Sequence, residues 1–224
     1  MFKKGICFFF ATMVLLAVMA GCTSSDSDLD LSKLENDGQF SFPGLRPGAS
    51  LQEVEEVLGF SLGEAIESTG PVPIYGKDNA TLVYYFPKET PFTALGKKLH
   101  TDYTFMEDTL CTMTIGMSFD ADRPKDAEKL ISKLTKYYGE PDISYTEDEP
   151  WENGTRKFTD NRWVREGDGY YTVLVCNVVD LTSTGRSTYS VVLHLLYDEW
   201  SDVSELYSAF EEKLEKLERK DTKQ

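Results

Sequence analysis

The stretch from Leu99 to Phe119 constrains this chain more than any other. Leu99, Thr101, Tyr103 and Phe105 alternate with His100, Asp102, Thr104 and Met106. Cys111, Met113, Ile115, Met117 and Phe119 then alternate with Thr112, Thr114, Gly116 and Ser118. A period of two places one set on each side of a pleated strand, so each run is a strand with one face in a core. Glu107-Asp108 between them suits a tight turn, and the pair reads as a β-hairpin. An isolated hairpin is marginal in water, so this one needs further strands or a covering helix.

Covering helices are legible on either side. Ser50 and Glu53 have capping-box spacing ahead of Leu51, Val54, Val57 and Leu58, and Gly59 is placed as the stop. Asp122 and Pro124 open a second helix with the stripe Ala127, Leu130, Ile131, Leu134 and Tyr138, ended by Gly139 and Pro141. A last helix is expected over Asp202 to Arg219, with Val203, Leu206, Phe210, Leu214 and Leu217 on one face. Its Glu212–Lys216 and Glu215–Arg219 pairs are at favourable spacing. Strand signals fill the rest: Thr81 to Phe86, Ile143 to Thr146, Lys157 to Arg165, Tyr170 to Val179 and Ser187 to Tyr197. The expected fold is therefore α+β: a degenerate tandem repeat of a capped helix followed by an antiparallel meander, plus a C-terminal helix. The halves fall at 40–120 and 121–224, and the pattern leaves open whether their sheets are continuous.

The N-terminus carries an address. Lys3 and Lys4 precede an apolar run from Ile6 to Met19, which closes on Met19-Ala20-Gly21-Cys22. A basic start, an apolar stretch and small residues at the end make a secretory signal. The run sits at the short limit for a span, since a bilayer core takes about 20 apolar residues. Ala20-Gly21-Cys22 resembles the lipobox of bacterial lipoprotein precursors, with Met19 where that family most often has Leu. The resemblance implies a leader over 1–21, cleavage before Cys22 and a diacylglycerol on its thiol. Two acyl chains such as palmitate anchor a protein stably, at about 0.8 kcal/mol per buried methylene. The body would then face outside the cytoplasmic membrane, behind a flexible acidic tether over 22–39 that opens Thr23-Ser24-Ser25-Asp26-Ser27-Asp28.

Charge and composition narrow the function classes. The formal charge of −15 becomes −17 once the two leader lysines are removed. Such a chain repels phosphates, so no nucleic-acid partner is expected. Cys111 and Cys176 remain in the body and are expected as separate buried thiols. An exported chain could also bridge them, closing a loop of about 65 residues. His100 and His194 are the two histidines, too far apart in sequence for a helical metal motif, and His194 lies within an apolar strand. No Gly-x-Ser-x-Gly elbow and no phosphate loop is present, so no catalytic residue, metal or cofactor is expected. The acidic segment Glu147, Asp148, Glu149, Pro150, Trp151, Glu152 is read as a loop. Its carboxylates and Trp151 make it the possible binding loop, although Pro150 and Trp151 break EF-hand spacing.

The body carries a second likeness. Pro47-Gly48-Ala49-Ser50-Leu51 with Val54, Val57, Leu58 and Gly59 is similar to the opening of small bacterial envelope lipoproteins. That group includes the outer-membrane assembly lipoproteins and the β-lactamase-inhibitor-protein-like domains. Leu134 to Pro141, with Tyr138-Gly139-Glu140, resembles a helix ending frequent in them. The resemblance implies a non-catalytic protein that binds a protein or peptide. Two alternatives stay open: a hydrolase acting on cell-wall material through carboxylates such as Glu147, Asp148 or Asp160, and a solute- or ion-binding module.

Overall fold

The computed structural model describes residues 27–72, 77–120, 124–151, 154–180 and 188–198, together with Ser204, Tyr207, Ser208, Phe210, Glu211, Glu212 and Glu215. The stretch from Lys3 to Cys22 lies outside the described residues.

The chain opens with β1 (Ser27–Asp28), a 3-10 turn (Leu31–Lys33), β2 (Glu35–Asn36) and β3 (Gln39–Phe40). Helix α1 (Leu51–Leu58) leads into β4 (Ala65–Val72), β5 (Lys77–Tyr85), β6 (Phe92–Ala94), β7 (Lys97–Lys98), β8 (His100–Met106) and β9 (Thr109–Asp120). Helix α2 (Pro124–Tyr138) leads into β10 (Ile143–Trp151), β11 (Gly154–Glu166), β12 (Tyr171–Asp180) and β13 (Thr188–Asp198). The described residues of the C-terminal segment are helical.

Eight strands form one sheet in the order β10-β11-β12-β13-β9-β8-β5-β4, and every neighbouring pair is antiparallel. This corrects the α+β expectation: the fold is mainly β. Two meanders are present, but β9 and β13 pair from Thr112↔Leu196 to Thr188↔Asp120, which fuses them into one layer. The described helices before it are short, at eight and fifteen residues against strands of up to thirteen. They decorate one face of the sheet and do not form a layer of their own.

That face holds the main core. Tyr103, Ile115, Leu193, Leu174 and Trp163 come from five strands across the sheet and are fully buried. Val54 and Leu58 of α1 and Leu130 and Leu134 of α2 pack onto them. The cap of α1 forms as its spacing demands. Ser50 and Glu53 bond each other's backbone N–H, and Gly59 closes the helix at φ 73°. Glu53 also takes two bonds from the Arg46 guanidinium, at 2.9 and 2.8 Å, which holds its carboxyl down at about 2. Glu107 and Asp108 turn the β8–β9 hairpin with φ 50° and 64°, the left-handed pair that matches strand twist.

The tether expectation also needs correction. Residues 22–26 lie outside the described set, but from β1 onward the segment is packed. Ser27 and Asp28 pair in parallel with Phe92 and Thr93, and Leu29, Leu31 and Leu34 are buried in the core. The Tyr138 hydroxyl donates to the Leu31 carbonyl and accepts from Leu34 N–H. Composition hides this because three leucines among serines and acids suffice once α2 presents a matching surface.

Candidate functional site

Alternation sends every second side chain of this sheet to the face away from the main core. The register makes the rows explicit. Asp102, Thr114, His194, Val175 and Arg162 sit side by side on β8, β9, β13, β12 and β11. The next row is His100, Gly116, Val192, Asn177 and Asp160.

The described residues of the C-terminal segment touch one end of this face. Phe210 packs with Ile143 and Tyr145, and Tyr207 with Val164, Tyr171, Val173 and Val175. On the other half, Tyr84, Asp102, Thr104, Thr112, Thr114 and Gly116 remain partly exposed. Two open grooves run there. One of about 360 Å³ is bounded by Tyr84, Thr104, Thr112, Arg162, Asn177 and His194. The other, of about 530 Å³, is bounded by Lys97, Lys98, His100, Asp102, Gly116 and Val192. Gly116 is the floor of the larger groove. A Cβ there would meet only His100, at 3.8 Å, so the missing side chain leaves real space.

The polar groups of this face are arranged and not scattered. Thr114 Oγ1 lies 3.1 Å from His194 Nδ1. Burial holds the His194 ring below its ordinary pKa, the Arg162 charge adds to this, and Asp160 opposes it. The Asp102 carboxyl is raised by burial, against the pull of His100, whose Nε2 is 3.2 Å away. Asp160 is buried and accepts both Arg162 Nε and Nη2 at 2.9 Å, with the Tyr145 hydroxyl at 3.3 Å. The Arg162 guanidinium lies 4.2 Å from the centre of the Phe210 ring. Asn177 Oδ1 is buried without a hydrogen-bond partner among the described residues, on the wall of the smaller groove.

A depressed His194 pKa has a signed consequence. The unfolded ring takes a proton more readily than the folded one, so this stabilisation is complete above pH 6.5 and lost as pH falls through the folded value. Stability of the wild type should therefore fall more steeply from pH 7 to pH 5 than that of His194→Gln. Chemical unfolding at a series of pH values checks this, and equal slopes would contradict it.

The residues singled out in the sequence fare differently. The acidic loop is no loop: Glu147, Asp148, Glu149 and Trp151 belong to β10, paired with β11 down to Trp151↔Gly154, and Glu152 lies outside the described residues. Alternation separates Asp148 from Glu147 and Glu149, and Arg156 bonds Glu149 at 2.7 Å across the hairpin. The carboxylates therefore do not converge as a loop would let them. Asp160 is consumed in its ion pair with Arg162. Among the described residues no group of three or more histidines, cysteines and carboxylates is placed to hold a metal. Cys111 and Cys176 are buried and not disulfide-bonded, in different clusters, and burial pushes the Cys176 thiol up to about 12. Cys22 lies outside the described residues, among which no helix is long and apolar enough to cross a membrane.

Sequence reasoning passed over Thr112, Thr114 and Gly116. Their signal was present: the outward positions from Thr112 to Gly116 are small and uncharged, unlike an ordinary solvated face. Comparison with known proteins finds no matching family model, no matching curated protein and no matching solved structure.

Proposed function

We propose that this chain is a lipid-anchored protein of the bacterial cell envelope that binds a protein or peptide on the uncovered half of its sheet. In this reading the leader over 1–21 is removed, Cys22 carries the acyl chains, and the body stands outside the cytoplasmic membrane without catalytic chemistry of its own. The pattern from Lys3 to Cys22 supports the anchor. The observation that carries the binding is the second face, half covered by the described residues, with its two grooves and the small side chains between them. A large face left partly open is the kind of surface that marks interaction sites.

Anchor and body are close. With Cys22 acylated and Ser27 already paired in β1, five residues reach at most about 18 Å. A partner for this face would therefore lie near the membrane surface.

Mass spectrometry of the mature N-terminus tests the anchor: a diacylated Cys22 is expected, and an intact Met1 would contradict it. Gly116→Phe tests the face. The ring should fill the larger groove without backbone strain and reduce partner capture from crosslinked cells at least tenfold, with the melting temperature unchanged. Undiminished capture by a folded variant would contradict the assignment.

A further inference from the structure

The two ends of the sheet are not alike. β10 carries Glu147, Asp148, Glu149 and Pro150, and Ile143 and Tyr145 of the same strand pack under Phe210. Charges and proline are the usual means of blunting an exposed edge. At the other end, the outer side of β4 has no strand partner among the described residues. This strand is eight residues long, it is exposed from Ala65 to Thr69, and Glu67 is its only charge. Pro71 and the register shift between Gly70 and Val72 blunt only its far end, so from Ala65 to Thr69 the edge presents a row of backbone donors and acceptors to an extended chain.

The two faces beside that edge differ in chemistry. On the uncovered face Ile66 is 60% exposed and pairs with Tyr84. Tyr84 stacks on Phe86, ring centres 6.2 Å apart and 9° from parallel, and Phe86 is 48% exposed. On the helix-bearing face Glu67 stands opposite Val83; burial raises the hydroxyl pKa of neighbouring Tyr85, and the charges of Glu55, Asp108 and Glu67 add to it. One side of the edge is apolar and aromatic, and the other is acidic.

We infer that β4 accepts an extended strand of a partner protein whose side chains alternate basic and apolar. Backbone bonds along β4 would supply affinity, and alternate side chains would supply specificity. The apolar set would meet Ile66 and Phe86, and the basic set would meet Glu67. A second copy of this chain suits the edge poorly. It would bring another Glu67 and a formal charge of −15 to a site that is already acidic. The inference rests on the proposed protein-binding role and names how the partner engages.

The test uses the full-length protein and three nine-residue peptides. The first alternates lysine and valine and ends in tyrosine. The second has the same composition with lysines and valines in separate blocks. The third is the alternating peptide N-methylated at every second residue, which removes its donors. The alternating peptide should bind at least tenfold tighter than either control. It should slow amide hydrogen exchange over 65–70 and leave 143–150 unchanged. Ile66→Lys should weaken it tenfold, and Glu67→Lys should do the same until glutamates replace the lysines of the peptide. Equal binding of the three peptides, protection on β10 or on no strand, or a dimer in sedimentation that Ile66→Lys dissolves would each overturn the inference. Should Gly116→Phe abolish partner capture while Ile66→Lys leaves it intact, the edge fails and the face stands. Should the alternating peptide protect β4 while Gly116→Phe leaves capture intact, the edge stands and the face fails.

Discussion

Trp163→Ala should lower the unfolding free energy by about 3–5 kcal/mol, the range for removing a fully buried large aromatic. Trp163 has no solvent exposure and lies on β11 within the main core. Its indole N–H donates to the Gly139 carbonyl at 2.8 Å. That carbonyl belongs to the residue that ends α2, where helices leave acceptors unsatisfied. One side chain therefore fills the core and closes a helix end. Trp163→Phe separates the two roles, since it keeps most of the volume and orphans the carbonyl, at about 1–3 kcal/mol. Denaturant unfolding should show a lower midpoint with the slope retained. A loss within about 0.5 kcal/mol, as at a surface site, would contradict this placement.

Asp160→Ala should cost a similar amount, about 3–5 kcal/mol, for a different reason. The substitution removes the partner of a largely buried guanidinium and one acceptor of the Tyr145 hydroxyl. It leaves a charge in a site that desolvates it. The double change Asp160→Leu with Arg162→Met removes both charges and should recover most of the loss, because a buried pair and an apolar pair of similar volume are close in energy. Arg162 also lies over Phe210. Asp160→Ala should therefore speed amide exchange around Phe210 more than around Leu130, which packs on the other face. An additive double mutant with no recovery would show that the ion pair does not hold this corner together.

Much of the fold was legible in local pattern. The capping box, Gly59, the α2 stripe at Leu130, Leu134 and Tyr138 and the turn at Glu107-Asp108 each follow from chemistry within a few residues, and each forms as expected. What the pattern could not supply is pairing between distant strands. Nothing near Ser118 announces Ser190 as its partner, yet that contact turns two meanders into one sheet and makes the chain mainly β. Length was the other difficulty. Acidic residues and Pro150 mimic loop composition, so β10 and β11 looked shorter than the nine and thirteen residues they span. The site was half visible for the same reason. Alternation placed Thr114 and Gly116 on an outward face, but which outward face stays open depends on where Tyr207 and Phe210 land. β4 gave no alternating apolar signal at all, because as an edge strand it is exposed on both sides.

The most direct test of the account is a photocrosslinking scan in living cells. A photoreactive side chain is placed singly at Tyr84, Thr104, Thr112 and Thr114 on the open half, and at Lys125, Lys129 and Lys136 on the exposed side of α2. A discrete crosslinked protein band is expected from the four sheet positions and none from the helix. Bands from the helix alone, or from both sets equally, would contradict a partner seated on the uncovered face.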